Sequence, residues 1–151
     1  PTSHWFFIGG QIGIGKTHIC IAICCELIKR GFVVKSIQWR EFFSDLKHIM
    51  SKQESIYEQI TELKKVQVLF IDDLFKSGYD KRPTSWELDI ALEVINYRNR
   101  ENLSTVFNSE LNINEILSID ESIGSRIYEM AKEYTFDIPK DIGKNIRLLK
   151  K

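Results

Sequence analysis

Gly10-Gln11-Ile12-Gly13-Ile14-Gly15-Lys16-Thr17 decides how this chain folds. A glycine, four residues and then Gly-Lys-Thr is the spacing of a loop that wraps phosphates. The glycines admit backbone angles that other residues resist and keep Cβ atoms out of the way. Successive N–H groups can then turn toward the phosphates, with the positive end of the following helix behind them. In that arrangement Lys16 reaches the β- and γ-phosphates and the Thr17 hydroxyl binds Mg²⁺. Contacts to nucleotide are expected from Gly10, Gln11, Gly13, Ile14, Gly15, Lys16, Thr17 and the adjoining His18.

The flanks fit the loop. Trp5-Phe6-Phe7-Ile8 is a continuous apolar run and predicts a buried strand of a parallel sheet. Residues 17–30 predict a helix. Its stretch from Ile19 to Cys25 is nearly all apolar, so burial on most sides is expected. Lys29-Arg30 suits the negative end of the helix dipole, and Gly31 suits the position just past it.

Farther along, Phe32–Trp39 predicts a second strand. Two helices follow, marked by Phe42, Phe43, Leu46 and Ile49 and then by Ile56, Ile60 and Leu63 at helical spacing. Val66–Ile71 predicts a third strand, and residues 76–84 are loop chemistry. Thr84-x-x-Glu87 reads as a capping box that opens a helix. Ser104–Phe107 predicts a fourth strand, residues 112–118 and 121–132 two helices, and Tyr134–Ile138 a fifth strand. Ile146–Leu149 would add a short edge strand. Strands alternating with helices give an α/β, three-layer sandwich around a five-stranded parallel sheet.

The bulk composition sets few further limits. At 151 residues a single domain over 1–151 is expected. Hydrophobic residues make up 43% and charged residues 28%, and Lys+Arg and Asp+Glu both number 21. A zero balance does not advertise nucleic acid, although a local basic groove is compatible with it. No apolar run approaches the roughly 20 residues that span a bilayer, so no membrane partner is expected. The three cysteines (Cys20, Cys24, Cys25) cluster on one helix. They make a poor disulfide framework and suit a reducing, cytoplasmic setting, where they pack as small apolar side chains. The chain opens on Pro1 and enters a strand almost at once, which reads as a fragment lacking an N-terminal part.

Val68-Leu69-Phe70-Ile71-Asp72-Asp73 is an apolar strand ending in two carboxylates. Ligands of parallel sheets gather at the C-terminal strand ends, so both acids should lie near the phosphates. Asp72 is the candidate for holding Mg²⁺. Asp73 is placed to orient or deprotonate an attacking water. A paired acid of this kind favours hydrolysis of ATP to ADP and phosphate over transfer to a small molecule.

With both motifs in place, the chain resembles the AAA+ ATPase domain of DnaC/DnaI-type helicase loaders and the related IstB transposition helpers. The resemblance covers nearly the whole chain. It is carried by residues 10–18, by Leu-Phe-Ile-Asp-Asp-Leu (69–74), by Ser-Thr-Val-Phe-Asn-Ser-Glu-Leu (104–111) and by Ile-Gly-Ser-Arg-Ile-Tyr-Glu-Met (123–130). It implies ATP, self-association on single-stranded DNA, delivery of a replicative helicase and a bacterial or phage origin. It also implies that the missing N-terminal part would contact the helicase.

The resemblance places a polar sensor on the fourth strand. Such loaders often read Thr-Ser-Asn-Leu there, whereas this chain reads Asn108-Ser109-Glu110-Leu111, which leaves Asn108, Ser109 and Glu110 open. Arg126 matches an arginine finger acting on a neighbouring subunit's ATP. Its helix agrees, with Ile123, Ile127, Met130 and Ala131 on one face and Ser122, Arg126, Glu129 and Glu133 on the other. Arg147 could match a second sensor, but the sequence ends too soon after it for a C-terminal helical lid.

The two helices after the second strand match an insertion that binds single-stranded DNA. Between Arg40 and Lys65 five basic residues face five acidic ones, so charge adds little. Arg40, Lys47 and Lys52 are the candidates for backbone contact, while Phe42 and Phe43 read as core. The competing readings are an IstB-like transposition helper, a P-loop small-molecule kinase and an ATP-binding adaptor without turnover.

Overall fold

A computed structural model describes residues 5–10, 15–77 and 82–139 of the chain. Five strands form one sheet: β1 (Trp5–Gly10), β2 (Val34–Gln38), β3 (Val68–Asp72), β4 (Ser104–Ser109) and β5 (Thr135–Ile138). Their order is β2-β3-β4-β1-β5 and all four pairings are parallel. The helices are α1 (Lys16–Lys29), α2 (Trp39–Ser51), α3 (Tyr57–Lys65), α4 (Ser85–Arg100), α5 (Ile113–Ile119) and α6 (Glu121–Ala131), and a 3₁₀ turn (Lys132–Tyr134) leads into β5. The predicted edge strand at Ile146–Leu149 lies outside the described residues.

Strand alternation sorts the sheet's side chains into two cores. Trp5, Phe7, Leu69, Ile71 and Phe107 point to one face, where they meet apolar residues from α2 through α6, among them Leu46, Leu63, Ile95, Ile116 and Ile127. Ile8, Phe70 and Val106 point to the other and meet Cys20 and Cys24 of α1. The result is three layers with the sheet in the middle.

Two expectations need correcting. The helix expected to be buried on most sides, α1, buries only Lys16, Cys20 and Cys24. Ile21 and Ile28 are 47% and 55% exposed, and Cys25 is exposed as well. One helix lying alone on a sheet buries only the stripe that faces the sheet, however apolar its outer side. The Thr84/Glu87 capping box is only half made. Thr84 Oγ1 accepts from the Glu87 N–H at 3.2 Å, but the Glu87 side chain turns elsewhere. The box is complete on α5, between Asn112 and Glu115.

A buried arginine braces the sheet's lower end. Arg98 of α4 is fully buried, and its guanidinium donates to the carbonyls of Leu63, Lys64, Val66, Gln67 and Ser104 and to Thr105 Oγ1. Burial lowers its pKa to about 10, still far enough above neutrality for the charge to persist. The cation gathers the free carbonyls at the end of α3, where the helix dipole favours it. Among the described residues, no helix is long and apolar enough to cross a membrane.

Candidate active site

β1 delivers the chain to the phosphate loop through Gly10. Its φ of 111° suits glycine, and a Cβ there would lie 2.1 Å from the Ile138 carbonyl oxygen of β5. Gly15 caps α1 in the left-handed region, at φ 86° and ψ 21°. Among the described residues no atom lies within 4 Å of a Cβ built on Gly15, and its requirement there is conformational. Lys16 follows as the first residue of α1. It is buried, and its Nζ donates to the Gly10 carbonyl at 3.1 Å, spanning the base of the loop. Gln11, Gly13 and Ile14, also expected to touch nucleotide, lie outside the described residues, and His18 is exposed on α1.

β3 runs beside β4 and ends with Asp72 beside Thr17, and Asp73 follows it. Thr17 Oγ1 donates to Asp72 Oδ1 at 3.4 Å. Burial pushes the Asp72 carboxyl above the usual carboxylate range, and the adjacent Asp73 charge adds to the rise. Hydrogen bonds from Asn108 and Thr17 work against it. A hydroxyl and a carboxylate at this separation form a hard-oxygen donor pair. That chemistry suits Mg²⁺, which is usually held by one or two protein oxygens together with phosphates.

Asn108 joins the two motifs. It is 1% exposed. Its Nδ2 donates to Thr17 Oγ1 at 3.2 Å, and its Oδ1 accepts from the Asp73 N–H at 2.7 Å. Its own carbonyl accepts from the Leu74 N–H at 2.9 Å. The neighbouring candidates point elsewhere. Ser109 donates to the Leu74 carbonyl at 2.8 Å, and Glu110 pairs with Lys76 at 2.7 Å. Of the three, Asn108 is the residue in contact with both Thr17 and Asp73. β4 therefore runs past the predicted Phe107 to Ser109, and this extension carries the amide into the site.

The sequence reading missed Gln38. It ends β2 directly opposite Asp72 in the sheet register. Its Nε2 donates to Asp73 Oδ2 at 3.2 Å, while its Oε1 caps α2 by accepting from the Glu41 N–H at 2.8 Å. A polar residue closing a strand beside the acidic strand was the available signal. Reading Phe32–Trp39 as one continuous strand hid it.

The other candidates lie apart from this cluster. Arg126 sits half-buried on α6 and makes no hydrogen bond or ion pair among the described residues. Arg40 and Lys47 are on the exposed side of α2, and Lys52 is exposed at its C-terminal cap. Phe43 is buried and Phe42 packs against the same core, as expected. Arg147 lies outside the described residues.

Comparison with known proteins fits this geometry. The family profile described as "IstB-like ATP binding protein" matches residues 4–125. YqaM of Bacillus subtilis (strain 168), an uncharacterized protein, is 40% identical over 134 residues, covering 87% of this chain and 42% of YqaM. The replicative helicase loader DnaI of the same strain is 28% identical over 111 residues, covering 73% of this chain and 34% of DnaI. A crystal structure of DnaI superimposes with a TM-score of 0.69 at 28% identity, over 89% of this chain and 71% of that one. The chain spans less than half the length of either relative.

Proposed function

The chain belongs to the IstB-like ATP binding protein family, and on that premise we propose that it hydrolyses ATP as a helicase loader acting on single-stranded DNA. The observation that carries the hydrolytic part is the Asn108 amide, which ties Thr17 to the backbone of Asp73. One side chain thereby fixes the phosphate-loop hydroxyl relative to the second acid.

Each residue has a role in this reading. Lys16 neutralises the β- and γ-phosphates, with the amino end of α1 adding its positive pole. Thr17 and Asp72 would hold Mg²⁺, which would offset the charge that builds on the transferring phosphoryl group. Asp73 takes up the proton of the attacking water, and Gln38 holds its carboxylate until then. Asn108 senses the γ-phosphate. Arg126 completes the site of a neighbouring copy from its polar helix face. A paired hydroxyl and acid beside an acid placed for water activation favour hydrolysis over small-molecule phosphoryl transfer.

The partner assignment rests on the likeness to DnaI, a replicative helicase loader. Arg40, Lys47 and Lys52 on the α2 side would contact the DNA backbone, and the protein would work inside a bacterial cell. The family's name supports a second reading, a transposition helper. Pull-down with ATP and single-stranded DNA, probing for replicative helicase and for transposase, separates the two. Capture of the helicase supports loading and capture of the transposase supports the alternative. Capture of neither rejects both partners and leaves the nucleotide site intact.

A further inference from the structure

We propose that Trp39 is a positioning residue for Asp73, acting through Ser77 and Glu87. The inference rests on reading Asp73 as the hydrolytic acid. Its starting point is the diverted capping residue. Glu87 stands where Glu115 stands on α5, yet its carboxylate does not return to its own N-cap. Glu87 Oε2 instead accepts from Trp39 Nε1 at 3.1 Å and from Ser77 Oγ at 2.6 Å, and Trp39 Nε1 is also 2.9 Å from Ser77 Oγ. Glu87 is 4% exposed. A carboxylate buried that deeply is costly without donors, and these two, with the positive end of α4, supply them.

The node grips the far end of a strained turn. The segment after β3 folds back on itself, with Lys76 N donating to the Asp73 carbonyl and Ser77 N to the Phe75 carbonyl. Asp73 and Phe75 both have positive φ, 54° and 69°. An aspartate tolerates that region, but a bulky aromatic resists it. Such a conformation persists only where its surroundings over-determine it. Asn108 and Ser109 hold the turn at its start. At its end, Ser77 is held by the node, and the Phe75 ring stands edge-on to Trp39 with centroids 5.2 Å apart.

Trp39 therefore supplies both a hydrogen bond and a packing surface to this turn. The residue before it, Gln38, bonds to the Asp73 carboxylate itself. Two consecutive residues at the start of α2 thus fix the carboxylate and the far end of its turn.

The test compares the wild-type protein with Ser77→Ala, Trp39→Phe and Asp73→Asn. Steady-state ATP hydrolysis with Mg²⁺, affinity for a fluorescent ADP and thermal midpoint are measured for each. Ser77 is half-buried, so its hydroxyl can be removed without opening the core. Each substitution removes two of the node's three hydrogen bonds, and Trp39→Phe also trims the surface that meets Phe75, so both should lower kcat about tenfold or more while nucleotide affinity stays within about twofold. Asp73→Asn should lower turnover by about 10²-fold or more. Wild-type kcat in Ser77→Ala and Trp39→Phe beside an impaired Asp73→Asn would overturn the positioning role and spare the hydrolytic reading. Equal losses of affinity and kcat would mark a merely structural node and also overturn it. Full activity in Asp73→Asn would remove the hydrolytic reading, and this inference with it.

Discussion

Lys16, Asn108 and Asp73 have separable tasks, and single substitutions should separate them. On the proposed reading Lys16→Ala removes the charge that would face the phosphates, so nucleotide binding should be lost, as equilibrium binding of labelled ATP would report. Asn108→Ala cuts the link between Thr17 and Asp73. It should keep binding and reduce kcat by about tenfold or more, because the Asp73 backbone loses the amide that holds it. The cysteines give a check on α1 that is independent of activity. Burial raises the Cys20 thiol to about 12 and the Cys24 thiol to about 11, so both stay protonated at neutral and mildly alkaline pH. Cys25 is exposed. In the folded protein at pH 8, a thiol reagent should therefore modify Cys25 quickly and the other two only after denaturation. Rapid reaction of all three would contradict the packing of α1 on the sheet.

Helix contacts and strand ends set the next scale. Gly124 lets α6 approach α5 closely, and a Cβ there would stand 2.9 Å from the Leu117 Cα and 2.8 Å from its Cδ2. Gly124→Ala should cost about 1–3 kcal/mol in chemical denaturation, the usual price of overpacking. Arg98→Ala would leave a set of buried carbonyls unpaired and should cost more than about 3 kcal/mol. Both substitutions lie outside the Asn108 cluster. The elements themselves were legible because phosphate-loop spacing, strand runs and helical periodicity are local signals. The Asp72-Asp73 strand end was legible for the same reason. The choice among Asn108, Ser109 and Glu110 was not, since it depends on where β4 ends relative to β3. The links from Gln38 to Asp73 and from Trp39 to Ser77 and Glu87 were missed because they join residues 35 to 48 apart in sequence. Burial of α1 was overestimated because an apolar sequence does not tell how many layers will cover it.

For the whole molecule, the claim is that an ATP site built on one chain is completed by another. Gly10, Lys16, Thr17, Asp72, Asp73 and Asn108 converge at one end of the sheet, whereas Arg126 lies on α6 without a partner of its own among the described residues. If Arg126 acts on a neighbour, turnover per molecule should rise with protein concentration, and Arg126→Ala should flatten the rise while leaving nucleotide binding intact. A linear dependence of total rate on concentration would remove the shared site. If Arg40, Lys47 and Lys52 contact DNA, binding should weaken steeply as salt rises, because phosphate contacts release counterions. The most direct test of the central claim, hydrolysis of ATP with Asp73 as the acid, is phosphate release from ATP and Mg²⁺ by the wild type and by Asp73→Asn, both shown to bind nucleotide. The account predicts slow release by the wild type and a loss of about 10²-fold or more in Asp73→Asn. Equal release by the two proteins would contradict it.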